Sequence, residues 1–337
     1  SEYNTLVNFN DTFYFFKKQL KWAMLSLLAM YLMVNYDYRQ LKRHVGPLLL
    51  IAFVALALVL IPGVGKEVNE ARRWIVIGSA QFAPAELVKL CIIIFTAYGL
   101  SREKDRVKYF TSGVLPYLIV MAMAAGLILL QPDLGTALSL SAIVLIMIFA
   151  AGARWAHLGS IAAAGLAAVG FAIVLKPYRM QRFLAFLDPW ADSQGDGYHI
   201  IQSLYAVGSG GLFGLGLGQS KQKFLYLPEN HTDFIFAIIG EELGFIGASL
   251  VVMLFILFIW RGLKIAVASP DPFACLLATG ITAWVGVQAI INIGVVTGTL
   301  PVTGIPLPFI SFGGTSLLFT MTAVGILLNI SRHTTIR

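Results

Sequence analysis

The sequence predicts an all-α fold, a polytopic bundle of transmembrane helices. Three observations point there. Of the 337 residues, 58% are hydrophobic and only 12% are charged; the mean hydropathy is +0.80; and one apolar run follows another along the chain. Nine runs are candidate spans, at 20–36, 45–61, 84–100, 113–130, 134–151, 158–175, 234–260, 273–296 and 317–330. Most approach the ~20 apolar residues that a helix needs to cross ~30 Å of hydrocarbon. The runs are continuous rather than alternating, so they lack the period-two pattern of a membrane barrel. Cys91 and Cys275 fall inside spans, where a thiol behaves as a small apolar group, so neither a disulfide framework nor a metal site is indicated.

The net charge is +7, with basic residues scattered over short connections rather than gathered on one face. That pattern argues against nucleic acid and for membrane orientation. With the first span running inward, the connections at 37–44, 101–112, 152–157 and 261–272 and the tail from 331 hold twelve Lys or Arg. The other side's short connections hold six over a greater length, namely Lys17, Lys18, Lys21, Lys66, Arg72 and Arg73. The loop from 176 to 232 is left out, because long loops cross largely regardless of charge. The expectation is an amino terminus and a loop 176–232 outside, with the carboxyl terminus in the cytoplasm. An outside amino terminus needs a preceding segment to insert, and residue 1 is Ser rather than Met. A further span ahead of Ser1 is therefore expected.

No soluble domain interrupts the spans, so 1–337 reads as a single membrane domain. In the long loop, Tyr178 to Leu187 mixes Arg179 and Arg182 with Phe183, Phe186 and Leu187, a pattern suited to the membrane interface. The glycine run from Gly208 to Gly218 reads either as a phosphate cradle or as tightly turned, packed backbone. It has no Gly-Lys-Ser/Thr ending and no preceding strand, which favours packing. The stretch Thr297 to Thr315 contains Pro301, Pro306 and Pro308 and the pair Gly313-Gly314. It is too apolar for a solvated loop and too rich in proline for a helix, so a re-entrant segment packed against protein is expected.

Polar groups that do not belong in lipid mark the candidate site. Asp233 stands where the long loop meets an apolar span, and a carboxylate there is costly to keep without a function. Glu86 and Lys89 are three apart on one helical face, either as a mutually satisfied ion pair or as lining of a polar cavity. Asp133, in the tight turn Gln131-Pro132-Asp133-Leu134-Gly135-Thr136, either caps the next helix or belongs to the site. Arg72, Arg73 and Trp74 are either interface anchors or contacts to an anionic, sugar-bearing substrate, since arginine clamps phosphate oxygens. Glu241 and Glu242 lie about two turns past Asp233; only one can face a cavity, and the other needs a partner. His231 is a candidate proton partner of Asp233, but no Ser or Cys stands at a spacing that suggests a hydrolytic triad. His44, His157, His199 and His333 are dispersed and make no metal-ligand pattern. Asp233, Asp133 and Arg72 to Trp74 all map to the outer ends of spans, with Glu86 and Lys89 one turn inside. That favours chemistry at one membrane face, whereas a transporter favours a midplane cluster.

Five stretches carry a family resemblance. They are Pro84-Ala85-Glu86-Leu87-Val88-Lys89, Gln131 to Thr136, Tyr226-Leu227-Pro228-Glu229-Asn230-His231-Thr232-Asp233-Phe234-Ile235-Phe236, Glu241-Glu242-Leu243-Gly244, and Pro306-Leu307-Pro308-Phe309-Ile310-Ser311-Phe312-Gly313-Gly314-Thr315-Ser316. The chain resembles the SEDS family (shape, elongation, division and sporulation), nearer its FtsW and SpoVE branch than RodA, from about residue 10 to the end. Members have ten spans, so the resemblance implies that the first is missing here. It also implies a peptidoglycan glycosyltransferase that polymerises lipid II at the outer face of the bacterial cytoplasmic membrane, with a class B penicillin-binding protein as partner. Asp233 matches the family's essential aspartate, and Trp74, Glu86, Lys89, Asp133 and Ser311 match other positions of its polar cavity. Where some relatives carry a Lys before the Pro-Phe-Ile-Ser motif, this chain has Thr303, so no cationic role is carried to that position.

The expected chemistry is an inverting glycosyl transfer, with Asp233 as general base for a sugar hydroxyl. Arg72, Arg73, Lys89 or a bound divalent cation is a candidate to stabilise the leaving pyrophosphate. No cofactor is otherwise called for. The alternative is a flippase or transporter of the lipid-linked precursor, and a non-catalytic scaffold is the third reading.

Overall fold

The computed structural model describes residues 13–68, 71–78, 80–102, 106–195, 197–222 and 231–334. Each expected span falls on a helix. The long helices are α1 (Tyr14–Asn35), α2 (Leu41–Leu60), α3 (Pro84–Arg102), α4 (Leu115–Leu129), α5 (Leu134–Ala150) and α6 (Trp155–Val174). After two shorter helices, α7 (Pro177–Leu187) and α8 (Tyr198–Ser209), come α9 (Ile235–Ala268), α10 (Pro272–Val296) and α11 (Gly314–Arg332). Among the described residues, seven helical stretches are long and apolar enough to cross a membrane. Helix α1, with Lys17, Lys18 and Lys21, and the 17-residue α5 stand outside that group. The last helix runs to 19 residues, longer than its apolar run alone implied, because Gly314 to Ser316 and Ser331 to Arg332 are helical too.

The chain forms two compact units. One comprises Gly159–Ile256 and Gln288–Phe312 with the segment up to Gln19; the other comprises Leu20–Leu158, Leu257–Val287 and Gly313–Arg337. In the second unit α3 is the central element. It packs on α2, α5 and α11, and from Val88 to Ile94 it is buried on every side. Gly280 of α10 lets that helix approach the side chains of Ile93 and Met147, where a Cβ would leave no room.

The connection between the second and third spans is not a plain loop. It folds as an antiparallel sheet, β1 (Gly65–Val68), β2 (Ala71–Ile77) and β3 (Ala80–Phe82), in the order β1-β2-β3. The aromatic and β-branched run Trp74-Ile75-Val76-Ile77 suits a strand, and Gly63 and Gly78, at φ 90° and 62°, make the bends. Strand alternation turns Arg73 to one face of β2 and Arg72 and Trp74 to the other. Trp74 lies opposite Lys66, and Arg72 donates to Glu67 at 2.8 Å.

In the first unit, the loop after α6 is mostly helical, through α7 and α8, and the glycine run is packed. Helix α9 is interrupted at Gly244, which adopts φ 67° and ψ −167°. The break leaves backbone groups on both sides without helical partners, and the glycine run supplies them. Leu215 and Gly216 N–H donate to the carbonyls of Glu241 and Glu242 at 3.0 Å, while Phe245 and Ile246 N–H donate to Gly211 and Leu212 at 2.8 and 3.2 Å. These amides are engaged with carbonyls, so the cradle reading gives way to packed backbone. The segment 301–307 has no regular secondary structure, yet Ile305 and Leu307 are buried, as expected of an irregular stretch packed against protein.

Candidate active site

In the first unit, Asp233 is half-buried in the turn 231–234 that leads into α9, at the end of a helix that favours negative charge. Residues 226–230 of the motif ahead of it lie outside the described residues. Three hydrogen bonds fasten this turn, and a fourth, from the Asn292 amide that makes one of them, reaches Ile305. Asn292 of α10 donates its side-chain amide to the Asp233 carbonyl at 2.7 Å and to the Ile305 carbonyl at 2.8 Å. Phe312 N–H donates to the His231 carbonyl at 2.9 Å, and Ser311 Oγ–H donates to the Thr232 carbonyl. The Ser311 oxygen also accepts from Leu307 N–H at 2.8 Å. The Ser311 hydroxyl thus ties the Asp233 turn to the irregular segment.

Gly304, at φ 73°, stands so close to Asp233 that a Cβ there would lie 3.5 Å from Asp233 Oδ2. The His231 imidazole packs against Phe15 and Phe312, with ring centroids 4.9 and 5.8 Å apart. Phe234, next to Asp233, is buried and stacks on His199 at 5.9 Å. Glu241 is 1% exposed and accepts from Ser220 Oγ–H and from the N–H groups of Lys221 and Gln222. Glu242 accepts from Ser220 N–H at 3.4 Å as well, so both glutamates hold residues 220–222.

In the second unit, Lys89 is fully buried, with its Nζ 2.8 Å from Glu86 Oε1 and 5.2 Å from the centre of the Trp284 ring. An opposite charge and an aromatic face together compensate for taking the ammonium out of water. Glu86 Oε2 is buried and has no hydrogen-bond partner among the described residues. Asp133 caps α5, accepting from Thr136 N–H and Thr136 Oγ–H, each at 2.9 Å. It also lies 3.8 Å from Arg73 Nε, and the same guanidinium donates to the carbonyls of Gln131 and Pro132. Asp133 is thus both a cap and the partner of Arg73. Of the three residues Arg72 to Trp74 on β2, Arg73 holds the tight turn, Arg72 pairs with exposed Glu67, and Trp74 is half-buried on the sheet.

Asn292, Gly304 and Trp284 were not expected among these contacts. A single amide in the apolar run Ala289-Ile290-Ile291-Asn292-Ile293 was a signal of the same kind as Glu86 and Lys89. Nothing local marks Gly304 or Trp284. Among the described residues no three His, Cys, Asp or Glu side chains gather as a metal site.

The model of the FtsW, RodA and SpoVE family, described as cell cycle protein, matches residues 1–336. The chain belongs to this family. It is 48% identical over 325 residues to stage V sporulation protein E of Bacillus subtilis, covering 96% of this chain and 89% of that one. It is 45% identical to the probable peptidoglycan glycosyltransferase FtsW of Trichlorobacter lovleyi, covering 96% and 85%. A solved structure described as structural coordination of polymerization and crosslinking by a peptidoglycan synthase complex superposes with a TM-score of 0.79 at 33% identity, covering 95% and 90%. The crystal structure of Thermus thermophilus rod shape determining protein RodA superposes at 0.69 with 31% identity, covering 94% and 87%. Like these relatives, the chain is a multi-pass membrane protein.

Proposed function

We propose that this chain is a peptidoglycan glycosyltransferase that polymerises lipid II at the outer face of the bacterial cytoplasmic membrane, with Asp233 as general base. The observation that carries the reading is the near-full-length likeness to chains named as probable peptidoglycan glycosyltransferases. The excess of Lys and Arg on the opposite connections supports the outward orientation. A class B penicillin-binding protein is the partner, a reading supported by the likeness to a structure described as coordinating polymerization with crosslinking.

In the proposed reaction a hydroxyl oxygen of the acceptor sugar forms a bond to the anomeric carbon of the donor. The bond from that carbon to the pyrophosphate oxygen breaks, and the lipid pyrophosphate departs with the electron pair. A hydroxyl is a poor nucleophile at neutral pH, and a carboxylate positioned to take its proton contributes about 10²- to 10⁴-fold. A single displacement inverts an α-linked donor into a β-linked product. Negative charge gathers on the leaving pyrophosphate, where cationic side chains stabilise it. Arg72, Arg73 or a bound divalent cation is the candidate for that role, with Trp74 and Asp133 beside them, whereas Lys89, buried against Glu86 and the Trp284 ring, supports the fold of its own unit. Ser311 is assigned to positioning the turn that bears Asp233, through its bond to the Thr232 carbonyl, and His231 packs beside it on Phe15 and Phe312.

The test is purified protein, with and without its penicillin-binding partner, given labelled lipid II in detergent. Wild type yields long glycan chains, and Asp233→Asn, inserted and folded normally, yields none. Near-normal polymer from Asp233→Asn removes the aspartate from this role. Movement of lipid II across vesicles without polymer in any condition favours the flippase instead.

A further inference from the structure

We propose that Asn292 is a positioning residue for Asp233, an inference that rests on the general-base reading above. The Asp233 turn and the segment 301–307 lie in neither a helix nor a sheet, so no backbone ladder fixes one against the other. The Ser311 hydroxyl joins Thr232 to Leu307, and Asn292 joins Asp233 itself to Ile305 with a single group. Its –NH2 carries two hydrogens in one plane, and both are used: one on the Asp233 carbonyl at 2.7 Å, the other on the Ile305 carbonyl at 2.8 Å.

The anchor is rigid, because Asn292 is 1% exposed and belongs to α10, a mostly buried helix. Holding the Asp233 carbonyl fixes the peptide unit from which the side chain springs, leaving two torsions to place the carboxylate. Holding the Ile305 carbonyl fixes the residue next to Gly304, whose absent Cβ leaves space beside Asp233 Oδ2. One amide therefore sets both the origin of the carboxylate and the backbone it lies against. Few replacements reproduce this. Asp offers no donor, Ser offers one hydrogen for two acceptors, and Gln carries its amide one bond too far.

The experiment compares Asn292→Leu, Asn292→Ser, Asp233→Asn and the double variant Asp233→Asn with Asn292→Leu, all as full-length chains with the penicillin-binding partner and labelled lipid II. Asn292→Leu keeps the branched shape of the side chain but is larger and strips the donor from two buried carbonyls, so the unfolding midpoint falls and kcat is read per folded molecule. Its kcat falls about 10²-fold, the scale of an ångström-sized misplacement of a catalytic group. KM changes little, and the acid limb of the pH–rate profile moves, because the environment of the titrating carboxylate has changed. Asn292→Ser keeps part of the activity, and the double variant is no worse than Asp233→Asn alone.

A lowered unfolding midpoint with unchanged kcat per folded molecule and an unmoved acid limb means that Asn292 is merely structural, and overturns the proposal. So does wild-type kcat in Asn292→Leu beside an inactive Asp233→Asn, while leaving the general base in place. An active Asp233→Asn removes the general base itself, a distinguishable failure.

Discussion

Glu86→Gln keeps the volume of the side chain and one acceptor oxygen but takes away the charge that faces Lys89. The ammonium then stays in a place where its side chain is 1% exposed, beside a partner that is 10% exposed. Its other compensation, the Trp284 ring at 5.2 Å, is already present in the native protein and offsets nothing new. Breaking a buried pair from one side costs about 3–5 kcal/mol. The remaining amide carbonyl recovers about 1 kcal/mol as a hydrogen bond, so the expected loss is about 3 kcal/mol. Adding Lys89→Met removes the stranded charge, and the double variant returns to within about 1 kcal/mol of wild type, since apolar replacements of buried pairs are often neutral. Equilibrium unfolding in mixed SDS micelles, followed by tryptophan fluorescence across the four proteins of the cycle, measures both numbers. A cost below about 0.5 kcal/mol for Glu86→Gln, or strict additivity of the two changes, refutes the claim that the pair is desolvated and coupled.

Gly244→Ala places a Cβ 2.6 Å from the Leu212 carbonyl oxygen and into Gly214 N, at φ 67°. About 1–3 kcal/mol of backbone strain, since φ 67° with ψ −167° is a region that glycine alone adopts readily, adds to the steric conflict, so the glycine run detaches from α9. Limited proteolysis should then cut the segment 210–218 faster than in wild type. Arg73→Lys keeps a positive charge near Asp133 but cannot reach the Gln131 and Pro132 carbonyls as a planar fork does. A loss of about 1–3 kcal/mol in unfolding free energy is expected, whereas Arg72→Lys, on the exposed pair with Glu67, changes it by less than about 1 kcal/mol.

The spans were legible because transfer into hydrocarbon is a property of each short stretch of chain, read directly from its residues. Asp233, Asp133, Glu86 and Lys89 were legible for the same reason, as polar groups in apolar surroundings. The β1-β2-β3 sheet was harder to see, since strands of four, seven and three residues between two spans carry little periodicity. Asn292 escaped notice beside the charged residues because an amide is a weaker anomaly than a charge.

Hydropathy and residue type were thus enough for the helical class, the polar positions and the family. Which group meets which was settled by folding alone. That Asn292 binds Asp233 and Ile305, that Arg73 rather than Arg72 holds Asp133, and that the glycine run fills the break at Gly244 all depend on contacts between distant stretches of chain. Hydrogen bonds and ion pairs require atoms within a few ångströms at set angles, and spacing along a sequence does not specify distance in space.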